Sequence, residues 1–176
     1  MKISYELNQY LPKSPEQPIV FTCIGTDRST GDALGPLVGS RLVNMELPEN
    51  FHVYGTLKTP IHAVNLNDAL EMIQQKYPSG FVIAIDACLG QSKNVGTIQI
   101  KNGPLKPGAG VHKTLPEVGH IHITGIVNVA GFMEFFVLQN TRLHIVMELA
   151  DVIAEGIYHT GLIYKMNQNI SGKTII

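Results

Sequence analysis

The chain has 176 residues, of which 44% are apolar, and its formal net charge is −1. This length and apolar content suit one folded domain and exclude intrinsic disorder. Basic residues form no stripe, so we expect no nucleic-acid binding, and no apolar run approaches the ~18 residues that a membrane span needs.

The first 17 residues are mostly polar and contain two prolines, Pro12 and Pro15. They predict a loosely docked N-terminal arm at residues 1–17, followed by a single α/β domain at 18–176. This N-terminus lacks the apolar core of a signal peptide. Cys23 and Cys88 lie in apolar surroundings without the spacing of metal ligands, which predicts buried free thiols in a reduced, cytoplasmic protein.

In the first half of the chain, strands alternate with helices. The apolar run "PIVFTCI" at 18–24 predicts a buried strand. From Asp32 the apolar residues recur at helical spacing until Pro48, and the residue type of Asp32 suits an N-cap. A second strand is predicted at 51–56 and a second helix at 65–77, with Asn65 as its capping residue.

In the second half, the clearest strand is "FVIAID" at 81–86, which is apolar until its final carboxylate. Further strands are predicted at 96–101, near a sheet edge, and at 120–127. Residues 102–119 form a long loop rich in Gly and Pro, a type that is usually functional. A closing helix is predicted from Leu143 to Gly161, and the tail at 161–176 has no clear pattern.

This order of elements predicts a three-layer α/β fold, in which a mostly parallel sheet carries helices on both faces. In such sheets, ligands bind beyond the carboxyl ends of the strands, where the strand order reverses. Asp32 follows the first predicted strand and Asp86 ends the third. If these strands are neighbours, as in flavodoxin-like orders, both carboxylates face one crevice.

The turn "IGTDRSTGDALGP" at 24–36 is rich in glycine, as phosphate-binding turns are. However, Asp27 lies in the turn and Asp32 at the helix start, and both would repel an anion. The glycine spacing also matches neither common nucleotide-binding motif. We therefore do not expect a phosphate site here.

Two carboxylates in one crevice suit two mechanisms. They can share a proton and act as an acid–base pair that activates water against a carbonyl. Alternatively, they can bind a divalent metal such as nickel or zinc, with His112 of the long loop as third ligand. Asp32 and His112 each also have a purely structural interpretation. Asp32 would then be a plain N-cap, and His112 an ordinary loop histidine.

Three residues are candidates for substrate binding: Gly31, Lys93 and, as an alternative to its role as a metal ligand, His112. Lys93 lies in a loop that should border the crevice, where it would orient a substrate carbonyl or carboxylate. The role of Arg28, in the first turn, is left open.

The blocks "CIGTDRSTGDALGPLVGSRL", "IDACLG" and "GTIQIKNGPLKPGAGVHKTLPEVG" resemble the YyaC family of sporulation proteins from endospore-forming Firmicutes. The resemblance covers about residues 18–158. That family is similar to the spore germination protease, an aspartic-acid-dependent peptidase that degrades small acid-soluble spore proteins, and to hydrogenase maturation endopeptidases of the HybD type, which recognise nickel.

The resemblance implies catalytic roles for Asp32 and Asp86, which match the aspartates of the germination protease. With His112, the same two residues match the acidic and histidine positions of the hydrogenase endopeptidases. It implies a peptide or protein substrate, small acid-soluble spore proteins among the candidates, in the cytoplasm of the mother cell or forespore. A homo-oligomer is compatible with the sequence, and a catalytically silent forespore binding protein is the alternative to an enzyme.

Overall fold

Five strands form one mixed sheet in the computed structural model, which describes residues 2–108 and 115–171. The strands are β1 (Ile19–Cys23), β2 (Phe51–Tyr54), β3 (Phe81–Gly90), β4 (Ile98–Asn102) and β5 (Ile121–Val129). They lie in the order β2-β1-β3-β5-β4. All neighbours are parallel except β4, which pairs antiparallel with β5 at one edge of the sheet. The prediction of a mostly parallel sheet with 96–101 near its edge is confirmed.

Five α-helices accompany the sheet in the described part of the chain. They are α1 (Lys2–Tyr10), α2 (Leu34–Leu42), α3 (Leu66–Lys76), α4 (Glu134–Gln139) and α5 (Leu143–Ser171). Short 3₁₀ turns at Gly31–Ala33 and Ser92–Asn94 follow β1 and β3. None of the helices in residues 2–108 and 115–171 combines the length and hydropathy that a membrane span requires.

Side chains of β1 alternate between two separate cores, one on each face of the sheet. Ile19, Phe21 and Cys23 pack with buried side chains of α1, α2 and α5. Val20 packs on the opposite face with Leu66 and Ile73 of α3. All five residues of β1 are buried because helices cover both faces, which is why the sequence of this strand is a continuous apolar run. The three-layer architecture is confirmed.

The N-terminal segment is not the loosely docked arm that its polarity suggests. Residues 2–10 form α1, whose Leu7 is completely buried in the core beside α5. The Tyr164 hydroxyl of α5 donates a hydrogen bond of 2.9 Å to the Ser14 carbonyl oxygen, so the chain after α1 is attached as well. The prediction was wrong because a short polar helix is stabilised here by tertiary packing, which local sequence does not display.

Helix α5 continues ten residues past Gly161, where the sequence suggested that it would end. A Cβ atom at Gly161 would lie 2.8 Å from Cδ of Pro48. Glycine therefore permits close approach of another segment at this position, and it does not end the helix. The predicted end was wrong because a glycine that ends a helix and a glycine that permits close packing look alike in sequence.

Leu7 provides a direct test of how firmly α1 is docked. Leu7→Ala is expected to lower the free energy of unfolding by about 2–5 kcal/mol, since it removes fully buried methyl groups and leaves a cavity. Tyr5→Ala, on the same helix but 72% exposed, should change it by less than about 0.5 kcal/mol. Urea denaturation of both variants measures the difference, and equal small effects would indicate a loose arm after all.

Candidate active site

The turn between β1 and α2 folds back on itself and places Asp32 beside the sheet. The backbone N–H of Thr26 donates to the carbonyl oxygen of Asp32 at 3.1 Å, and Gly25 N–H donates to Ile61 O at 2.7 Å. Gly25 adopts a φ of +143°, a conformation that other residues rarely take. Asp32 lies within the 3₁₀ turn that precedes α2, and no side chain caps either segment. The N-cap interpretation of Asp32 was wrong.

The other glycines of this turn serve close packing. A Cβ atom at Gly35 would collide with the backbone of Ile24, and one at Gly31 would lie 2.7 Å from Cδ2 of Leu138 on α4. Gly31, a predicted substrate-binding residue, is buried against α4 and does not line the cavity described below. These contacts explain the glycine-rich composition of the turn without a bound phosphate.

Asp86 lies on β3, the strand directly beside β1. Cys23, the last residue of β1, pairs with Ile85, so the carboxyl end of β1 reaches the level of Asp86. Strand β3 then continues to Gly90, four residues past its predicted end. One carboxylate oxygen of Asp86 accepts a 2.8 Å hydrogen bond from the N–H of Ala87. The neighbouring strands that the shared-crevice prediction required are therefore present.

Asp32 and Asp86 line one cavity of about 330 Å³ at the carboxyl ends of β1 and β3. The strand order reverses at this point, since β2 lies on one side of β1 and β3 on the other. Most of the remaining lining is apolar, and it includes Ile24, Ala63, Val64, Ala87, Leu89, Pro107, Leu115, Phe135 and Leu138. The cavity thus combines two carboxylates with mainly hydrocarbon walls.

Burial perturbs both carboxyl groups in the same direction. The pKa of Asp86 rises to about 8, mainly because burial disfavours its charged form; the Ala87 N–H opposes this rise, and the negative charge of Asp32 adds to it. Burial also raises the pKa of Asp32, and the nearby Ser29 side chain partly offsets that effect. Near neutral pH, Asp86 therefore holds a proton.

One other predicted site residue, Lys93, does not join Asp32 and Asp86 in the cavity. Lys93 is exposed on the 3₁₀ turn after β3, and it does not line the cavity. His112 and the neighbouring residues of the long loop lie outside the described residues. Within the ranges that the structure does describe, no three His, Cys, Asp or Glu side chains come together in a way that would hold a metal ion.

Sequence reasoning missed several residues of the cavity wall: His62, Glu134, Phe135 and Leu138, while Arg28 was noted without a role. Glu134 and Phe135 belong to α4, which was not predicted. The only signal was the apolar, aromatic stretch "GFMEFFVLQ", which has no clear helical or strand period. Glu134 accepts a hydrogen bond from the N–H of Gly131 at 3.2 Å.

Both cysteines are free, as predicted, although Cys88 is only half-buried. Cys88 lines the cavity, and burial raises the pKa of its thiol, with the Thr124 hydroxyl opposing that rise. Because the thiolate is the nucleophilic form, this environment does not favour cysteine-based catalysis. The carboxyl pair remains the chemically distinctive feature of the site.

Two structural comparisons place the fold. The crystal structure of the NiFe hydrogenase maturation protease HycI from Thermococcus kodakarensis KOD1 matches with a TM-score of 0.51 at 17% identity, over 82% of this chain and 92% of that chain. A crystal structure of the hydrogenase 3 maturation protease gives 0.50 at 15% identity, over 81% and 90%. The predicted fold of the hydrogenase maturation endopeptidases is confirmed.

Sequence comparisons establish the family. A family model described as "Protein of unknown function (DUF1256)" matches residues 1–156. The chain is 62% identical over 151 residues to the "Uncharacterized protein YyaC" of Bacillus subtilis (strain 168), which covers 86% of this chain and 73% of that protein. The chain therefore belongs to the DUF1256 family, as a relative of YyaC, in agreement with the resemblance read from its motifs.

Proposed function

We propose that this protein is a peptidase that hydrolyses peptide bonds with Asp32 and Asp86 as an acid–base pair. The observation that carries the proposal is the placement of two perturbed carboxyl groups in one largely apolar cavity. Two carboxyl groups with different proton affinities can divide the roles of acid and base between them. At neutral pH, Asp86 is the protonated partner and Asp32 the base.

The proposed reaction begins when a water molecule attacks the carbonyl carbon of the scissile bond. Asp32 takes a proton from this water while Asp86 donates its proton to the carbonyl oxygen, which gives a tetrahedral diol. In the second step, one diol hydroxyl returns a proton to Asp86. The proton on Asp32 passes to the leaving nitrogen, and the carbon–nitrogen bond breaks. Water is consumed, and both carboxyl groups regain their starting states.

The structural neighbours support a peptide or protein as substrate, since both are maturation proteases. The resemblance to the germination protease points further, to small acid-soluble spore proteins as substrates and to a role in sporulation in the mother cell or forespore. These substrates, and the cytoplasmic location, remain predictions from that resemblance.

A metal-assisted mechanism is the alternative, and the described residues contribute only Asp32 and Asp86 to it. Residues 2–108 and 115–171 contain no cluster of three suitable ligands. We therefore derive no catalytic step through a metal. A site completed by His112 stays a prediction.

The pH dependence of cleavage tests the acid–base pair. We expect the rate to fall as the pH rises through about 8, because Asp86 then loses the proton that it must donate. The rate should also fall in acid, at a pH above the ordinary carboxyl value of 3.8, because Asp32 becomes protonated. The measurement is mass spectrometry of purified small acid-soluble spore proteins and of unfolded casein, incubated with the protein from pH 4 to 9.

Chelation provides the control for this experiment. A rate that is unchanged by EDTA supports the carboxyl pair, whereas a loss that zinc or nickel restores favours the metal alternative. No cleavage of either substrate at any pH would contradict the proposal and favour a silent binding protein.

A further inference from the structure

Two exposed apolar side chains stand on the wall of the catalytic cavity. Val64 is 87% exposed and Phe135 is 51% exposed, although both line the cavity that holds Asp32 and Asp86. Exposed apolar surface beside a concave site loses contact with water when a ligand binds, and this stabilises the complex. These two residues, with Leu115 and Leu138 in the same wall, form what we call the apolar rim.

The segment that carries Val64 is held by its own hydrogen bonds. The side chain of Asn65 accepts from the N–H of His62 at 2.8 Å and donates to the carbonyl oxygen of Pro60 at 3.0 Å. The N–H of Val64 donates to Nδ1 of His62 at 3.3 Å. The rim residue therefore projects from an ordered turn, and little conformational freedom remains to be lost on binding.

Helix α4, which carries Phe135, is also anchored. The side-chain amide of Asn128 on β5 donates to Val137 O at 3.3 Å and to the Thr141 hydroxyl at 3.2 Å. Leu138 packs against the backbone of Gly31, next to Asp32. The position of Phe135 is thus tied to the turn that carries one of the two proposed catalytic groups.

Charge around the cavity limits what the rim can receive. Glu134 lines the cavity together with Asp32 and Asp86, against a single guanidinium from Arg28. Arg28 makes no ion pair with any residue of 2–108 or 115–171. Near neutral pH, where Asp86 is protonated, the carboxylates of Asp32 and Glu134 outnumber the one guanidinium, which disfavours an acidic ligand and suits a neutral or basic one.

We propose that the apolar rim is a specificity subsite that receives a bulky apolar side chain of a neutral or basic peptide segment, next to the bond that the carboxyl pair cleaves. This inference rests on the proposed peptidase function. Val64 and Phe135 contact the substrate side chain, and Glu134 favours basic residues near it. The apolar rim thus indicates the class of substrate: a neutral or basic peptide segment with a bulky apolar side chain.

Binding of defined peptides tests the subsite without requiring turnover. The probes are fluorescein-labelled nine-residue peptides of Ala and Gly with Leu, Phe, Ser or Asp at the centre. They are titrated against Asp86→Asn protein and followed by fluorescence polarisation. The Leu and Phe peptides should bind about tenfold or more tightly than the Ser peptide, as expected for burial of one large apolar side chain. The Asp peptide should bind most weakly.

Variants of the rim make the test specific. Phe135→Ala and Val64→Ala should each weaken binding of the Leu peptide several-fold and leave the Ser peptide unchanged. Phe132→Ala is the matched control, since Phe132 is 87% exposed in the same segment but does not line the cavity. Circular dichroism confirms that each variant is folded.

Cleavage-site analysis separates this inference from the proposed function. Active wild-type protein is incubated with an unfolded protein mixture, and the residues that flank each cut are identified. Cleavage without any apolar preference would overturn the subsite but keep the peptidase, whereas selective binding of the Leu peptide without cleavage would keep the subsite and overturn the peptidase. Equal binding of the Leu and Ser peptides, or none up to about 1 mM, would overturn the subsite.

Discussion

Replacing Asp86 by Asn is expected to lower the rate of peptide hydrolysis by roughly 100-fold to 10,000-fold, the usual contribution of a positioned acid or base. Asn has almost the same shape, and its oxygen can still accept the hydrogen bond from Ala87 N–H, but it has no acidic proton to donate. Asp32→Asn should cause a loss of similar size, because the water then has no base. Initial rates on small acid-soluble spore proteins or casein measure both effects.

Asp27→Asn is the matched control for these two variants. Asp27 lies in the same turn as Asp32, but it is exposed and does not line the cavity. Its replacement should leave the rate within about twofold of wild type, since it removes a carboxylate without touching the proposed reacting groups. Cleavage that survives both Asp32→Asn and Asp86→Asn would show that the carboxyl pair is not the catalyst.

A double variant sharpens the argument. If Asp32 and Asp86 act as one unit, losing both should cost little more than losing either, because the concerted proton transfers already fail when one partner is absent. Fully additive losses would instead indicate two independent roles. The comparison therefore distinguishes a shared-proton mechanism from separate contributions to binding.

The convergence of Asp32 and Asp86 could be predicted from the sequence for a physical reason. Strands that helices cover on both faces must be continuous apolar runs, so "FTCI" and "FVIAID" stand out, and so does the carboxylate that interrupts the second. A flavodoxin-like order then places the first and third strands side by side although they are not consecutive in the chain, and the order β2-β1-β3-β5-β4 shows β1 beside β3. The positions of Asp32 and Asp86 were therefore predictable, because the strand order of the sheet determines them.

The parts that tertiary contacts determine could not be predicted in this way. Helix α4 has only six residues and follows Met133, which adopts the left-handed conformation at φ 53°. Its aromatic side chains are largely exposed, so they follow no buried stripe. Phe135 therefore escaped notice, although it lines the cavity. Helix α1 was missed for the related reason that its few buried residues depend on α5.

The long loop illustrates a different limit. Leu105 and Val118 exchange backbone hydrogen bonds of 2.8 and 2.9 Å, so the two ends of the loop are tied together beside the sheet. Pro107 and Leu115 from its described ends line the cavity. The prediction that this loop is functional is thus supported at its ends, while the role of His112, between them, stays a prediction.

Asp86→Asn is also expected to stabilise the protein in mildly alkaline solution. The carboxyl group of Asp86 has a pKa of about 8 in the folded chain and an ordinary value of 3.8. Between these values the folded state binds more protons than the unfolded state, so the stability of the wild type falls as the pH rises. The difference between the two pKa values corresponds to a loss of at most roughly 5 to 6 kcal/mol in the free energy of unfolding of the wild type. Asn carries no charge and escapes this loss.

Thermal unfolding at two pH values measures the difference. At pH 8.5 the variant should melt roughly 10 °C above the wild type, and near pH 4 the two melting temperatures should approach one another. Asp32→Asn should show a smaller gain of the same sign, because it removes the neighbouring charge that helps to raise the pKa of Asp86. Asp27→Asn should show none.

The two effects of Asp86→Asn have one cause. A carboxyl group that holds its proton at neutral pH must lie where its charged form is disfavoured, and that environment costs stability once the proton is lost. A variant that gained stability at pH 8.5 and kept its activity would separate the buried carboxyl group from catalysis. A variant with no gain at either pH would show that burial does not perturb Asp86. Loss of activity together with the alkaline gain is the combination that the proposed mechanism requires.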